Sequence, residues 1–388
     1  MRRTASGLRL GTLGGVPVVV GWTWLLIAAV VLLLFGPSLQ RADPTLGWRA
    51  YAVAGGYVLV LAVSVLVHEL AHAAVGAAHG SRPREIALSL WGGHTQFARA
   101  VDRPLGSVLT ALAGPAANLL LAGLAGAAGT LVEPGTVTAL LLAMAATANL
   151  LLAAFNALPG LPLDGGRMVE SAVWAATGSR SAGTVAAGWS GRILAAALII
   201  GAVALPLLSD ARPGFGVLAL TVLVGLSLYR GAGEAIAAGR WQGRASGIAL
   251  ADLMLRAEVL APDATVADAE AALRTPGTAV VVAPRPGDGD VPTAPAVVDV
   301  QALARVPQAR RRLTPVTAVA AALPAGAVLR PGTDPDSGPD LIDRLAATDT
   351  AVWAVTRPDG TVQGILARTA VLNALERTSP RHRRRTPT

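Results

Sequence analysis

The sequence predicts a polytopic α-helical membrane protein followed by a soluble α/β part. Hydrophobic residues make up 53% of the 388 residues and charged residues only 14%, whereas about 25% of a typical soluble globular chain is charged. Apolar blocks dominate up to Tyr229, and Asp, Glu, Arg and Pro become frequent after Gly247. The two halves are therefore expected to meet different surroundings, lipid first and water second.

Composition also limits the chemistry. Cysteine is absent, so disulfides and thiolate metal sites are excluded, and His and carboxylate side chains remain as the strong metal ligands. A net charge of +8 is compatible with nucleic-acid binding, but also with a membrane protein that has arginine-rich loops. Because basic and aromatic residues do not interleave, the sequence favours the membrane interpretation and predicts no nucleic-acid partner.

Six segments are long and apolar enough to cross a lipid bilayer, which takes about 20 residues. They are residues 18–35, 51–78, 105–132, 136–158, 193–208 and 214–229. Arginines accumulate in alternate connections, which is the pattern of cytoplasmic loops. We therefore expect both termini in the cytoplasm. The Arg-, Ala- and Gly-rich composition is typical of a bacterial protein, which predicts the bacterial cytoplasmic membrane as the location.

The same patterns divide the chain into five segments. A cytoplasmic N-terminal segment (1–17) precedes a six-span membrane domain (18–230). A Gly- and Ala-rich linker (231–247) is expected to rest at the membrane surface. A soluble part (248–378) and a basic tail (379–388) follow, and the tail is predicted to be disordered and to approach anionic lipid.

The second span contains three ionisable residues in the stretch VLVHELAHAAVG. A charged residue within a membrane helix is energetically unfavourable and usually marks a functional site. His68 and His72 are four residues apart, so a helix places both imidazoles on one face, where they can bind one zinc ion. Glu69 is then positioned to accept a proton from water at that ion.

Catalytic zinc usually has three protein ligands and an open position, so a third ligand is expected elsewhere in the chain. Asp164 lies in the stretch FNALPGLPLDGGR, which follows the fourth span. The prolines and glycines there interrupt the helix, which is tolerated at membrane depth only where the backbone lines a cavity or is buried in protein. We therefore expect Asp164 to be the third ligand, and an ordinary Asp-Gly turn is the alternative.

Three motifs together resemble the site-2 protease family of intramembrane zinc metalloproteases. They are HELAH at 68–72, AGPAANLLLA at 113–122 and NLLLAAFNALPGLPLDGG at 149–166. The resemblance implies one zinc ion held by His68, His72 and Asp164, with Glu69 as the general base. It also implies that Asn156 helps to bind the substrate backbone or the oxyanion. The expected reaction is hydrolysis of a peptide bond in or next to the transmembrane segment of a membrane protein, for example a single-span anti-sigma factor.

A β-hairpin is predicted between the second and third spans. Ile86, Leu88 and Leu90 alternate with other residues before a Gly-Gly pair at 92–93, a pattern typical of two short strands around a turn. In site-2 proteases such a hairpin re-enters the membrane near the site, where its edge can pair with an extended substrate. His94 follows the glycines. It is expected to be a turn residue that binds no metal, and the alternatives are a fourth metal ligand and a substrate contact.

The soluble part contains an internal repeat of two units, each predicted as a short strand, a helix, a β-rich run and a closing helix. This repeat resembles a tandem CBS pair, which places the chain in the CBS-containing branch of the family. CBS pairs commonly sense adenine nucleotides, but Ala370 occupies the position where an Asp is expected to bind the ribose. Docking or homodimer formation is therefore the favoured role, and adenine nucleotide binding is the alternative.

Two other functions are compatible with parts of the sequence. A CBS-regulated membrane transporter would show inverted repeats and charged residues along a pore, and the sequence shows neither pattern. A catalytically inactive scaffold of the same fold would have damaged site residues, whereas all four of the expected ones are present. The sequence thus favours a zinc metalloendopeptidase.

Overall fold

The computed structural model describes residues 7–89, 92–98, 101–208, 214–283 and 295–377. The chain divides into two compact units, Met1–Arg240 and Trp241–Thr388. The first is mainly helical and the second combines helices with a large sheet. The basic tail predicted at 379–388 lies outside the described residues.

Six helices of the described chain are long and apolar enough to cross a membrane. They are α1 (Trp24–Ala42), α2 (Arg49–Ala78), α3 (Pro104–Gly129), α4 (Val137–Asn156), α6 (Arg180–Leu208) and α7 (Phe215–Ala245), with the shorter α5 (Asp164–Thr177) between α4 and α6. Large apolar side chains such as Leu33, Leu59 and Ile200 are exposed on them, as expected where lipid surrounds the helices. The protein is therefore a polytopic helical membrane protein.

The first predicted span begins too early in the sequence. Strand β2 (Val16–Gly21) occupies its first residues, and α1 starts at Trp24. A run of valines favours a strand, and Val18 and Val19 are buried in the sheet that β2 joins. The segment predicted at 1–17 contributes strand β1 (Gly7–Leu13), which pairs antiparallel with β2.

A four-stranded sheet, in the order β1-β2-β3-β4, packs against α2. Its last two strands are β3 (Pro83–Ser89) and β4 (Gly92–Phe97), which pair antiparallel at the position of the predicted hairpin. The Gly-Gly pair starts β4 instead of forming the turn, because Gly92 pairs with Ser89. Leu90, part of the predicted alternation, lies outside the described residues.

The linker predicted at 231–247 is largely helical, because α7 continues through it to Ala245. Ala232 and Ile236 of this stretch are buried and pack closely against Gly188 of α6. Glycine has a low helix propensity, and this packing stabilises the helix despite the glycines within residues 231–247.

The second unit contains a seven-stranded mixed sheet in the order β8-β7-β6-β5-β11-β10-β9. Its strands are β5 (Leu255–Leu260), β6 (Thr278–Val282), β7 (Ala296–Val298), β8 (Ala320–Ala322), β9 (Val328–Leu329), β10 (Val352–Thr356) and β11 (Val362–Ala367). The helices are α8 (Leu250–Leu253), α9 (Val266–Ala272), α10 (Val300–Ala304), α11 (Gly338–Ala346) and α12 (Arg368–Arg377). β6 and β10 are almost continuously buried, as expected of strands covered on both faces.

Candidate metal centre

His68 and His72 lie one turn apart on α2, and both side chains are buried. Their Nε2 atoms are 3.0 Å apart, and the two rings meet edge to face with centroids 4.6 Å apart. The four-residue spacing therefore brings both imidazoles to one point, as the sequence predicted.

Asp164 is the first residue of α5. Its Oδ2 atom lies 3.1 Å from Nε2 of His68 and 3.2 Å from Nε2 of His72. Two glycines follow it directly, and Cβ atoms at their positions would collide with the backbone of residues 157–161. The Pro- and Gly-rich segment is thus a tightly packed turn that brings the carboxylate onto the face of α2.

The three ligand atoms form a nearly equilateral triangle with edges of 3.0, 3.1 and 3.2 Å. A tetrahedral zinc ion with bonds of about 2.0–2.1 Å separates its ligand atoms by roughly 3.3 Å. Because Nδ1 of His72 lies 2.6 Å from the Thr110 carbonyl oxygen, that nitrogen donates the ring proton and leaves a lone pair on Nε2. A lone pair directed at the Asp164 carboxylate is repulsive unless a cation lies between them, so these residues fit a metal ion.

Gly114 of α3 faces the two imidazoles and keeps the centre open. A Cβ atom at this position would lie 2.5 Å from Cε1 and 2.6 Å from Nε2 of His68, and it would also collide with Nε2 of His72. Any side chain here would therefore occupy the space between the ligands.

The Asp164 carboxylate is the negatively charged member of the three candidate ligands, and its Oδ2 atom lies 3.1 and 3.2 Å from the two imidazole nitrogens. An ionised carboxylate between two imidazoles supplies the negative charge that a divalent cation prefers.

Glu69 is buried beside the ligands and is held by β4. The Thr95 hydroxyl lies 2.8 Å from Oε2 of Glu69 and 3.1 Å from the Glu69 carbonyl oxygen. A Cβ at Gly93 would lie 2.6 Å from Oε1 of Glu69, and Phe97 packs against Gly76. Alternate residues of β4 therefore face α2. Thr95 belongs to no recognisable motif in the sequence, although the period of two from Gly93 places it on that face.

Two further residues predicted to act at the site make their hydrogen bonds outside the ligand triangle. Asn156 ends α4, is half-buried and donates from Nδ2 to the Leu152 carbonyl oxygen at 3.1 Å. His94 is exposed on β4. Among the described residues, the group that could hold a metal ion consists of His68, His72 and Asp164.

Residues 56–140 and 127–200 match the model of peptidase family M50. These residues, the M50 segment, are similar to that family. The segment contains all three candidate ligands and Glu69, so the resemblance to site-2 proteases is confirmed for this segment.

Known relatives of the chain carry related names. A Synechocystis protein named as a zinc metalloprotease is 36% identical over 185 residues, which are 47% of this chain and 48% of the relative. The Mycobacterium tuberculosis protein Rip3, also named as a zinc metalloprotease, is 37% identical over 203 residues, half of each chain. The chain thus spans about half the length of these curated relatives. A site-2 protease structure from Methanocaldococcus jannaschii aligns with a TM-score of 0.42 and 23% identity, covering 59% of this chain and 94% of that one.

Proposed function

We propose that the protein is an intramembrane zinc metalloprotease that hydrolyses a peptide bond in or next to the transmembrane segment of a membrane protein. The observation that carries this proposal is the convergence of His68, His72 and Asp164 next to Glu69, inside a unit whose helices are suited to lipid. The M50 match and the names of two relatives support it.

The chain's own residues account for the proton transfers of such a reaction. Bound zinc supplies Lewis-acid polarisation of the scissile carbonyl and acidifies water. Glu69 accepts the proton of the attacking water and returns it to the departing amine. The Thr95 hydroxyl fixes the carboxylate of Glu69, and the Thr110 carbonyl fixes the tautomer of His72. The reacting groups are therefore oriented before the substrate arrives.

Substrate binding is assigned to β4 and Asn156. Among the described strands, β4 ends the four-stranded sheet, so its outer edge can pair with an extended peptide. In this proposal the hairpin re-enters the membrane and presents that edge beside Glu69. Asn156 stands just before the turn that leads to Asp164, and it binds the substrate backbone or the oxyanion.

The second unit is proposed to be a tandem CBS pair that docks or dimerises the protease. Two successive groups of elements, β5-α9-β6-β7-α10 and β9-α11-β10-β11-α12, follow the same order within one sheet. Ala370 of α12 lacks the carboxylate expected to bind a ribose, so an adenine nucleotide is the less favoured ligand. The substrate is proposed to be a single-span protein such as an anti-sigma factor, in the bacterial cytoplasmic membrane with both termini of the protease in the cytoplasm.

The test compares membrane proteomes of strains in which the chromosomal copy carries Glu69→Gln or Glu133→Gln. Glu69→Gln should keep zinc bound but remove the membrane-protein fragments that the wild type produces, because it removes only the proton acceptor. Glu133 is exposed in the loop after α3, so Glu133→Gln should leave the fragments unchanged. Identical fragments in the wild type and the Glu69→Gln strain would refute the proposed function.

A further inference from the structure

α6 and α7 pack antiparallel to each other. Both helices change from apolar to charged residues at the same level. Gly225 packs on Ile199, whereas Gly188 packs on Ile236. Residues 193–208 of α6 and 215–229 of α7 contain no charged side chain. Arg192 and Arg230 are the first charged residues beyond these apolar stretches, so both lie where the helix pair leaves the hydrocarbon.

The guanidinium of Arg192 is held between two aromatic rings. Its Cζ atom lies 5.3 Å from the Trp189 ring centroid and 4.9 Å from the Tyr229 ring centroid, which is cation–π distance. Two aromatic neighbours, one from each helix, fix the position of the charge. Trp and Tyr are also the residues that membrane proteins place at the lipid–water boundary.

No anion of the described chain neutralises this guanidinium. Among the described residues, Arg192 forms no ion pair, and its buried Nε atom has no hydrogen-bond partner. The other arginine of α6, Arg180, is paired with Glu170 at 3.2 Å. Glu234 is exposed one turn beyond Arg230 and takes part in none of these ion pairs. Because Nε is buried, the donors of Arg192 that an external acceptor can reach are those of the two terminal guanidinium nitrogens.

The surface around Arg192 is apolar and exposed. Trp189 is 47% exposed, Tyr229 is 44% exposed, and their apolar neighbours Ile193 and Leu226 are 69% and 49% exposed. An acceptor for Arg192 therefore has to come from the membrane side of the helix pair. The anionic acceptor available at the level where hydrocarbon ends is the phosphate of a lipid headgroup.

We propose that Trp189, Arg192, Tyr229 and Arg230 bind the phosphate group of an anionic membrane lipid. The planar guanidinium of Arg192 donates to the phosphate oxygens. The two rings hold the guanidinium in place, and Arg230 adds a second positive charge. The acyl chains lie along Ile193 and Leu226. This site is independent of the proposed proteolytic function, because none of its residues belongs to the metal centre.

The test uses the purified full chain reconstituted in bilayer discs of phosphatidylcholine with or without phosphatidylglycerol. Native mass spectrometry counts the phosphatidylglycerol molecules that remain bound after transfer to detergent. The wild type should retain phosphatidylglycerol, and Arg192→Gln should weaken its retention by about tenfold, the effect of one charge-assisted contact. Arg167→Gln, which changes an exposed arginine of α5, should retain lipid like the wild type.

A second variant and a second binding measurement complete the test. Tyr229→Leu retains apolar volume but removes one ring, and it should also weaken retention even if Arg192→Gln proves too unstable to purify. The binding of inorganic phosphate at millimolar concentration is also measured, in discs that contain only phosphatidylcholine. Equal phosphatidylglycerol retention by the wild type and both variants would overturn the proposal, and tight binding of inorganic phosphate with no preference for the lipid would overturn the assignment to a headgroup.

Discussion

Single residues set the dimensions of the metal centre. Gly114 leaves the space between the imidazoles open, and Gly93 leaves room for the carboxylate of Glu69. Neither glycine has a positive φ angle, so both are required by space and not by backbone conformation. A methyl group at either position would displace a functional side chain while leaving the backbone path unchanged.

Gly114→Ala should strongly weaken metal binding without unfolding the protein. The added Cβ collides with His68 and His72, whereas alanine in a helix is favoured over glycine by about 1 kcal/mol. Elemental analysis of the purified variant should show zinc content reduced at least about tenfold, as for other disturbed metal sites. Gly123→Ala on the same helix, where nothing lies within 4 Å of the added Cβ, should keep its zinc. Normal zinc in Gly114→Ala would show that the ion binds elsewhere.

Thr95→Val should lower proteolysis by about tenfold, because valine keeps the shape of threonine but cannot donate to Glu69. Thr95→Ser retains the hydroxyl and should restore most of the activity. Zinc content should be unchanged in both variants, since Thr95 contacts Glu69 and not a ligand. The fragments lost in the Glu69→Gln strain provide the readout. If the valine variant processes them as fast as the serine variant, the hydroxyl has no role in positioning Glu69.

The sequence could predict the candidate metal ligands because their signals are local. Two histidines four residues apart define one helix face, and Asp164 stands out where prolines and glycines interrupt an apolar pattern. Thr95 and Gly114 could not be identified in the same way, because their roles depend on contacts between elements that are distant in sequence. The register of β4 on α2 and the packing of α3 on α2 become known only once the elements are assembled.

At the scale of elements, the spans could be predicted but their ends could not. Hydropathy identifies segments that are apolar enough for lipid. The valine-rich residues 16–21, however, are compatible with both an apolar helix and a buried strand. No helix was predicted over α5 because its Gly165 and Gly166 are poor helix formers. Their close approach to the preceding turn places Asp164.

An ion pair in the second unit makes its stability depend on pH. Oδ1 of Asp334 accepts from Nε of Arg344 at 2.8 Å, and Oδ2 accepts from the Arg330 N–H at 2.9 Å. Partial burial raises the pKa of the Asp334 carboxyl, but these hydrogen bonds outweigh it and hold the pKa below the ordinary 3.8. A lowered pKa in the folded state stabilises the fold above pH 3.8, and this stabilisation is lost as the pH falls further.

Asp334→Asn should therefore destabilise the second unit by about 0.5–1 kcal/mol near pH 7, the range for a partly exposed pair. The difference from the wild type should narrow below about pH 4. Calorimetry of the full chain in detergent measures both effects, with Asp343→Asn on the exposed face of α11 as the control. A difference that persists unchanged at low pH, or none at neutral pH, would contradict this account of the ion pair.

At the scale of the whole molecule, the chain divides near Arg240 into a unit of apolar helices and an α/β unit. The M50 segment lies entirely in the first unit. The two parts differ in composition because lipid and water select different residues. Composition could not predict how α2 and α5 approach each other, although that approach joins ligands 92 residues apart in sequence.

The most direct test of the metal centre is zinc X-ray absorption of the purified full chain, combined with elemental analysis. The structure predicts one zinc per chain with two imidazole ligands and oxygen donors in the remaining positions. His72→Ala and Asp164→Asn should each lower zinc occupancy, whereas Glu69→Gln should not. A chain without zinc, or a zinc ion with three or more imidazole ligands, would contradict the centre formed by His68, His72 and Asp164.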